Sequence, residues 1–141
     1  MKLDTNCNSD YKDTVWSNLV ISILSVNSYP ISKTYSLFGD MKSAGLFNPG
    51  NLAELSLDQV ARALGDSGYD RGSFLTGLFS KRLSALGKFI ADHGIENCKR
   101  TLSEGSADGV GCLISQINGV GRIVIRNFLY LRRITSEDSS F

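Results

Sequence analysis

The sequence predicts an all-α fold, a barrel of six or seven helices that includes a hairpin of two helices. Apolar residues recur at intervals of three and four along most of the chain, which is the spacing of one helix face. No segment alternates apolar and polar residues with the period of a strand. Breaks that contain Gly or Pro separate the periodic segments, at 27–30, 48–50 and 65–72.

The predicted domain organisation is a single helical domain between two polar ends. The chain has 141 residues, which suffices for one domain with a substantial core. We expect a polar segment over 1–14, the helical domain over 15–133 and a frayed polar tail over 134–141.

Helices in the first half are predicted from apolar spacing and from their breaks. Residues 15–26 carry apolar side chains at the spacing of a well-buried helix. Pro30 can begin the next helix at its first turn, and 48–50 is predicted as a turn. The predicted helices are 15–26, 31–44 and 52–55.

Capping signals organise the following segment. Ser56-Leu57-Asp58-Gln59 is a capping-box pattern, so a helix begins there. Residues 65–72 are predicted as a glycine-broken loop, and a long helix follows from about Ser73 to His93, with Gly94 as its C-cap. The expected core is Trp16, Leu19, Ile23, Leu24, Phe38, Leu64, Leu78, Leu113, Ile117, Val124 and Phe128.

The segment 112–133 carries the most specific pattern. An apolar helical segment stops at Asn118-Gly119-Val120-Gly121, and a basic helical segment begins at Arg122. Two glycines around one aliphatic residue allow a sharp turn with exposed amides, at a helix start whose dipole favours an anion. Arg126 shares a helix face with Arg122. The pattern predicts a helix-hairpin-helix that holds a nucleic-acid phosphate without reading the bases.

Simpler interpretations of the glycines stay open. Gly-X-Gly between two helices is also an ordinary C-cap and tight turn. A dinucleotide-binding fingerprint is disfavoured, since it requires a preceding strand. An earlier Gly-Val-Gly, at 109–111, is interpreted as the entry to the first hairpin helix, with Asp108 as a possible N-cap. It is the weaker phosphate candidate because Cys112 follows it instead of an arginine.

Charge is distributed unevenly along the chain. The net charge is only +1, and the first 70 residues are net acidic. Residues 71–100 contain six basic and two acidic residues, and 122–133 contains four arginines and no acid. This asymmetry fits a one-sided nucleic-acid surface. Solvated helix faces are the alternative for any single residue.

Cysteine spacing and hydropathy exclude several classes of protein. Cys7, Cys98 and Cys112 form no Cys-x-x-Cys pair, and the single His93 has no partner at ligand spacing, so neither disulfides nor a zinc or iron–sulfur site is expected. The start of the sequence is polar and acidic, unlike a secretory signal, and no apolar run approaches a membrane span. We expect a cytoplasmic, nucleoid-associated or nuclear protein.

The order of these parts resembles the helix-hairpin-helix DNA glycosylase superfamily, most closely endonuclease III-like proteins. The resemblance runs from about Val15 to Arg133 and rests on three stretches, WSNLVISILSVNS, LDQVARALGDSGYDRGSFL and LISQINGVGR. The hairpin alone is moderately specific, and the three stretches in order are more so. The resemblance implies binding of double-stranded DNA and a role in base-excision repair.

Catalytic residues of the resembled family are only partly matched. Where bifunctional members carry a lysine nucleophile, this chain has Ile123, which cannot form a Schiff base. The family aspartate would fall on Phe141, and the nearest carboxylates are Asp138 and Glu137. Asp138 is therefore the candidate catalytic residue of a monofunctional N-glycosylase, and a polar terminus without a role is the alternative.

The resemblance also assigns binding roles by position. Asn27 falls where the family fills the space of an extruded base, and Tyr69 falls where it inserts a wedge. A helix C-cap for Asn27 and a core or rim position for Tyr69 are the alternatives. The family hairpin binds a monovalent cation through backbone carbonyls, which here belong to Ser115, Ile117 and Val120.

The family's second helical domain has no counterpart in these 141 residues. Half of the lesion pocket would then be missing, and base flipping needs a pocket that repays the unstacking of the base. We therefore expect either a second protein that completes the pocket, or a DNA-binding module that kept the hairpin without the chemistry.

Overall fold

The structure is a computed structural model that describes residues 14–26, 29–117 and 119–139, without the side chains of residues 14 and 136–139. Within these ranges every regular element is an α-helix, which confirms the all-α class. None of the described helices is long and apolar enough to span a bilayer. The helices are α1 (Thr14–Leu24), α2 (Ile31–Tyr35), α3 (Phe38–Ser43), α4 (Pro49–Glu54), α5 (Leu57–Asp66), α6 (Gly72–His93), α7 (Ile95–Glu104), α8 (Ala107–Ser115) and α9 (Arg122–Ser139).

Helix α1 lies at the centre of the molecule. Its apolar residues are almost completely buried, with Leu19, Ile21, Ile23 and Leu24 at 0% exposure. It packs antiparallel to α9, because Asn18 near its start donates to the Thr135 hydroxyl near the end of α9. Helices α4 and α5 pack on α6, and α7 and α8 complete the layer around α1 and α9.

Most of the expected core is confirmed. Trp16, Leu19, Ile23, Leu24, Leu64, Ile117, Val124 and Phe128 are buried, while Phe38 and Leu113 are partly buried against the core. Leu78 is the exception, because it is only half-buried and its neighbour Phe79 occupies the core instead. A shift of one residue along α6 rotates the side chain by about 100°.

The helix predicted over 31–44 is in fact two short helices, α2 and α3. The Ser36 hydroxyl donates to the Lys33 carbonyl at 2.6 Å, and the chain bends at Leu37. The bend allows Tyr35, Leu37 and Phe38 all to pack against the core, which one straight helix face could not do.

The predicted turn at 48–50 and the predicted loop at 65–72 each contain helical residues. Asn48 caps α4, with its side chain accepting from the backbone N–H groups of Gly50 and Asn51, so that Pro49 is the first helical residue. Helix α5 starts at the predicted capping box, which is confirmed by the Ser56–Gln59 hydrogen bonds, and extends through Asp66.

Helix α5 ends in a Schellman motif that explains the next turn. Tyr69 N–H donates to the Leu64 carbonyl at 3.0 Å, and Gly68 N–H to the Gly65 carbonyl at 3.0 Å. Gly68 has φ +96, which favours glycine. The residue after it, Tyr69, is directed into the core by this turn.

The second half follows the prediction more closely, with three differences. Helix α6 and its C-cap Gly94 are confirmed, as is the start of α9 at Arg122. Helix α7 was not predicted, because only Cys98 and Leu102 face the core. The N-cap of α8 is Ser106 and not Asp108, since the Ser106 hydroxyl accepts from Gly109 N–H. Helix α9 also continues to Ser139, beyond the predicted start of the tail.

Candidate nucleic-acid interface

A tight turn joins α8 to α9. Ile117 N–H donates to the Ile114 carbonyl at 3.0 Å, and Val120 N–H donates back to the Ile117 carbonyl at 3.2 Å. Ile117 and Val120 are buried, whereas Gly119 and Gly121 are exposed. The two apolar side chains therefore anchor the turn in the core, and its glycines face outward.

The two glycines of the turn differ in their structural role. Gly119 has φ +81, a conformation that a residue with a Cβ adopts only with strain. Gly121 has no such angle, and a Cβ built there would meet no atom within 4 Å. The sequence argument that both glycines serve to form the sharp turn is corrected by this geometry. Gly119 makes the turn, and Gly121 keeps the surface before α9 open.

The start of α9 provides unpaired donors and positive charge together. Gly121 accepts the first helical hydrogen bond, from Ile125 N–H at 3.3 Å, so the N–H groups of the first turn have no partner within the helix. The side chains of Arg122 and Arg126 are exposed beside them. An anion at this position would meet backbone donors, the positive end of the helix dipole and two guanidinium groups.

The carboxyl end of α1 packs against the second turn of α9. Asn127 on α9 donates to the carbonyls of Ser22 at 3.4 Å and Ser25 at 3.0 Å. Arg71 donates to the Val26 carbonyl at 2.9 Å. Asn27, assigned to the space of an extruded base, follows directly but lies outside the described residues, as does Asn118.

A cluster of arginines and aromatic rings supports the same end of the molecule. The Arg71 guanidinium lies 4.6 Å from the centre of the Tyr29 ring and 5.3 Å from that of Phe79. Arg82 lies 5.2 Å from the Phe79 ring. Neither arginine was predicted as a site residue, because the contact of Arg82 with Gly119 and that of Arg71 with the end of α1 depend on how α6 packs.

The sequence left two roles open for Tyr69, a wedge inserted in DNA or a position in the core or at its rim. In the structure Tyr69 is buried in the core. It has 0% exposure, and its hydroxyl donates to the Leu24 carbonyl at 2.7 Å. A side chain held in this way is not available to stack in DNA. The exposed aromatic residue of this region is Phe74, at 80% exposure in the first turn of α6.

The one catalytic candidate of the sequence, Asp138, does not lie beside the turn that precedes α9. Ile123, in place of the lysine, is 51% exposed beside the turn. Asp138 belongs to α9, and from Arg122 to Asp138 a continuous helix advances about 24 Å. Its side chain lies outside the described atoms, but a backbone separation of this size exceeds the reach of one nucleotide. The assignment of Asp138 beside the hairpin is therefore corrected, because α9 does not end before the tail.

The carbonyls suggested for a monovalent cation lie around the same turn. The Ile117 carbonyl already accepts from Val120 N–H, and a carbonyl oxygen has a second lone pair for a cation. Among the described residues no group of three His, Cys, Asp or Glu side chains is arranged to hold a metal ion. Away from the hairpin, a cavity of about 330 Å³ is lined by Trp16, Phe38, Phe47 and neighbouring residues.

Comparisons of the chain with models of known protein families, with curated proteins and with solved structures found no match.

Proposed function

We propose that this protein binds the backbone of double-stranded DNA through a helix-hairpin-helix formed by α8 and α9. The observation that carries the proposal is the start of α9, where first-turn amides, an open Gly121 and the exposed Arg122 and Arg126 share one surface. Phosphate is the anion that such a surface suits, and it is common to all DNA sequences. Binding is therefore independent of sequence and strongly dependent on salt.

Within this proposal the protein acts in base-excision repair as a non-catalytic module beside a partner. In this proposal, the helices that pack around α1 correspond to the six- to seven-helix barrel of the resembled glycosylases. The distance along α9 between Arg122 and Asp138 supports the non-catalytic form, because both would have to contact neighbouring groups of one nucleotide during base release. A second protein then completes the lesion pocket.

A monofunctional DNA N-glycosylase is the second candidate. It is favoured by the three family-like stretches, which follow one another along the chain in the order that the resembled family shows. Ile123 at the lysine position excludes a Schiff base through that residue, so any base release leaves an intact abasic site. A monovalent cation held by the carbonyls of Ser115, Ile117 and Val120 would fit either candidate, since it orders the turn.

Gly121→Val tests the DNA-binding proposal directly. A Cβ at Gly121 would meet no atom within 4 Å, so the variant should fold, with a loss of stability of at most about 1 kcal/mol because valine is a poorer N-cap than glycine. The branched side chain covers the first-turn amides, and we expect the affinity for a duplex oligonucleotide to fall at least tenfold, measured by fluorescence anisotropy at 50 mM salt.

Gly39→Val is the matched control for this experiment. Gly39 is also exposed, and a Cβ there also meets no atom within 4 Å. Because it belongs to α3, its replacement should leave DNA affinity unchanged. A folded Gly121→Val protein that binds DNA as well as the parent would refute the hairpin proposal.

A further inference from the structure

Arg82 contacts the hairpin from a different element. It lies in α6, half-buried, with its guanidinium against the Phe79 ring at 5.2 Å. Its Nε atom is 3.2 Å from the position that a Cβ on Gly119 would take. The side chain therefore lies against the outward-facing glycine of the turn, next to the surface proposed for phosphate.

The Nε–H of Arg82 is buried and has no hydrogen-bond partner. A buried donor of a charged group that lacks an acceptor is costly, and native proteins contain few of them. An apolar side chain of the same length could fill the space between Phe79 and Gly119 without this cost. The arginine is thus poorly explained by packing alone.

We propose that Arg82 is a phosphate-binding residue of the hairpin, which adds a guanidinium from α6 to those of Arg122 and Arg126. The inference rests on the proposed DNA binding and specifies which residues hold the backbone. Nε is closed to solvent in this conformation, so the side chain rotates to expose Nε when it binds phosphate. A phosphate oxygen then supplies the acceptor that the free protein lacks.

The salt dependence of DNA binding separates this role from a structural one. Each phosphate neutralised contributes about 0.9 to the slope of log K against log salt concentration. Arg82→Met retains most of the apolar stem but loses the charge. We expect its slope to be smaller by about 0.9 and its affinity at 50 mM salt to be lower by about tenfold. Arg82→Lys restores the charge, and so it should restore the slope.

Control variants make the outcomes distinguishable. Arg100→Met removes an exposed arginine from α7 and should leave slope and affinity unchanged. Arg82→Gln is measured beside the methionine variant, so that a folding defect in one, detected by thermal melting, does not end the test.

Three results would overturn the inference. If the Met and Gln variants keep the parental slope, Arg82 contacts no phosphate, and the hairpin proposal survives as long as Gly121→Val still lowers the affinity at least tenfold. If the Met and Lys variants lose affinity equally with the parental slope, Arg82 acts only through packing. A parent protein that binds no duplex would refute both proposals together.

Discussion

At the scale of single residues, Tyr69 joins three elements. It follows the Schellman turn of α5, its hydroxyl donates to the Leu24 carbonyl of α1, and its ring meets that of Phe79 in α6 edge-on at 6.0 Å. Arg71 donates to the same hydroxyl at 3.1 Å. One phenol group thereby satisfies a carbonyl at the end of α1 and orients Arg71 at the end of the molecule that carries the hairpin.

Burial raises the pKa of Tyr69 above its ordinary value of 10.0, although the hydrogen bond from Arg71 acts in the opposite direction. The folded state therefore favours the neutral phenol. The stabilisation that the folded state gains by keeping the Tyr69 phenol neutral is fully present below pH 10.0. It is lost as the pH rises through the higher pKa of the folded state.

Tyr69→Phe should reveal both contributions in denaturant unfolding between pH 7 and 11. At neutral pH we expect a loss of about 1 kcal/mol, because the hydrogen bonds of the hydroxyl disappear. Above pH 10 the stability of the variant should fall less steeply than that of the parent. Tyr130→Phe, at a residue that is 45% exposed, is the control and should change neither quantity. An identical alkaline decline in parent and Tyr69→Phe would contradict the assignment.

At the scale of elements, the contact between α4 and α6 depends on a close approach of their backbones. A Cβ on Gly87 would lie 2.5 Å from the Ala53 nitrogen and 2.7 Å from the Leu52 carbonyl carbon. These are backbone atoms of α4, so they cannot move aside as a flexible side chain would. Glycine is required here by the neighbouring helix and not by its own backbone angles.

Replacement by alanine should therefore have opposite effects on stability at Gly87 and at Gly77, both in α6. Gly87→Ala should destabilise the protein by roughly 2 kcal/mol or more, since α4 must shift away from α6. Gly77→Ala should stabilise it by about 0.5–1 kcal/mol, because a Cβ at Gly77 meets no atom within 4 Å and alanine favours the helix. Thermal and denaturant unfolding of the two variants checks the signs. A neutral Gly87→Ala would contradict the packing of α4 on α6.

At the scale of the whole molecule, packing brings arginines from two distant helices, α6 and α9, towards the turn that precedes α9. Arg71 and Arg82 come from the start and the middle of α6, whereas Arg122 and Arg126 come from the start of α9. Arg82 lies against Gly119 of the turn before α9, and Asn127 of α9 and Arg71 both donate to carbonyls at the carboxyl end of α1. A small net charge is thus compatible with a locally basic surface, which is what backbone binding requires.

The two functional candidates are separated by incubating the whole protein with duplexes that carry uracil, thymine glycol, oxidised guanine or alkylated adenine. We expect binding to all of them without base release, and no covalent adduct on borohydride treatment, because Ile123 offers no amine. Base release from any duplex would favour the glycosylase instead. Asp138→Asn would then be compared with the parent, and an active variant would exclude that carboxylate.

Local signals account for what could be predicted about the fold. The capping box at Ser56, the extent of α6 and the start of α9 at Arg122 depend on side chains and backbone groups within one or two helical turns. The turn before Arg122 was located from its glycines for the same reason. Local patterns failed at 31–44, where apolar residues on several helix faces pack only because the chain bends.

The sequence was sufficient for the all-α class and for the position of the turn before α9, since periodicity and glycine spacing can be seen in the chain alone. The burial of Tyr69, the position of Arg82 against Gly119 and the distance of Asp138 along α9 required the folded molecule. The first two depend on contacts between residues that are far apart in sequence. The third depends on the length of α9, which continues beyond the end that its sequence predicted. Such contacts follow from the shape of the assembled core, which no short window of sequence contains.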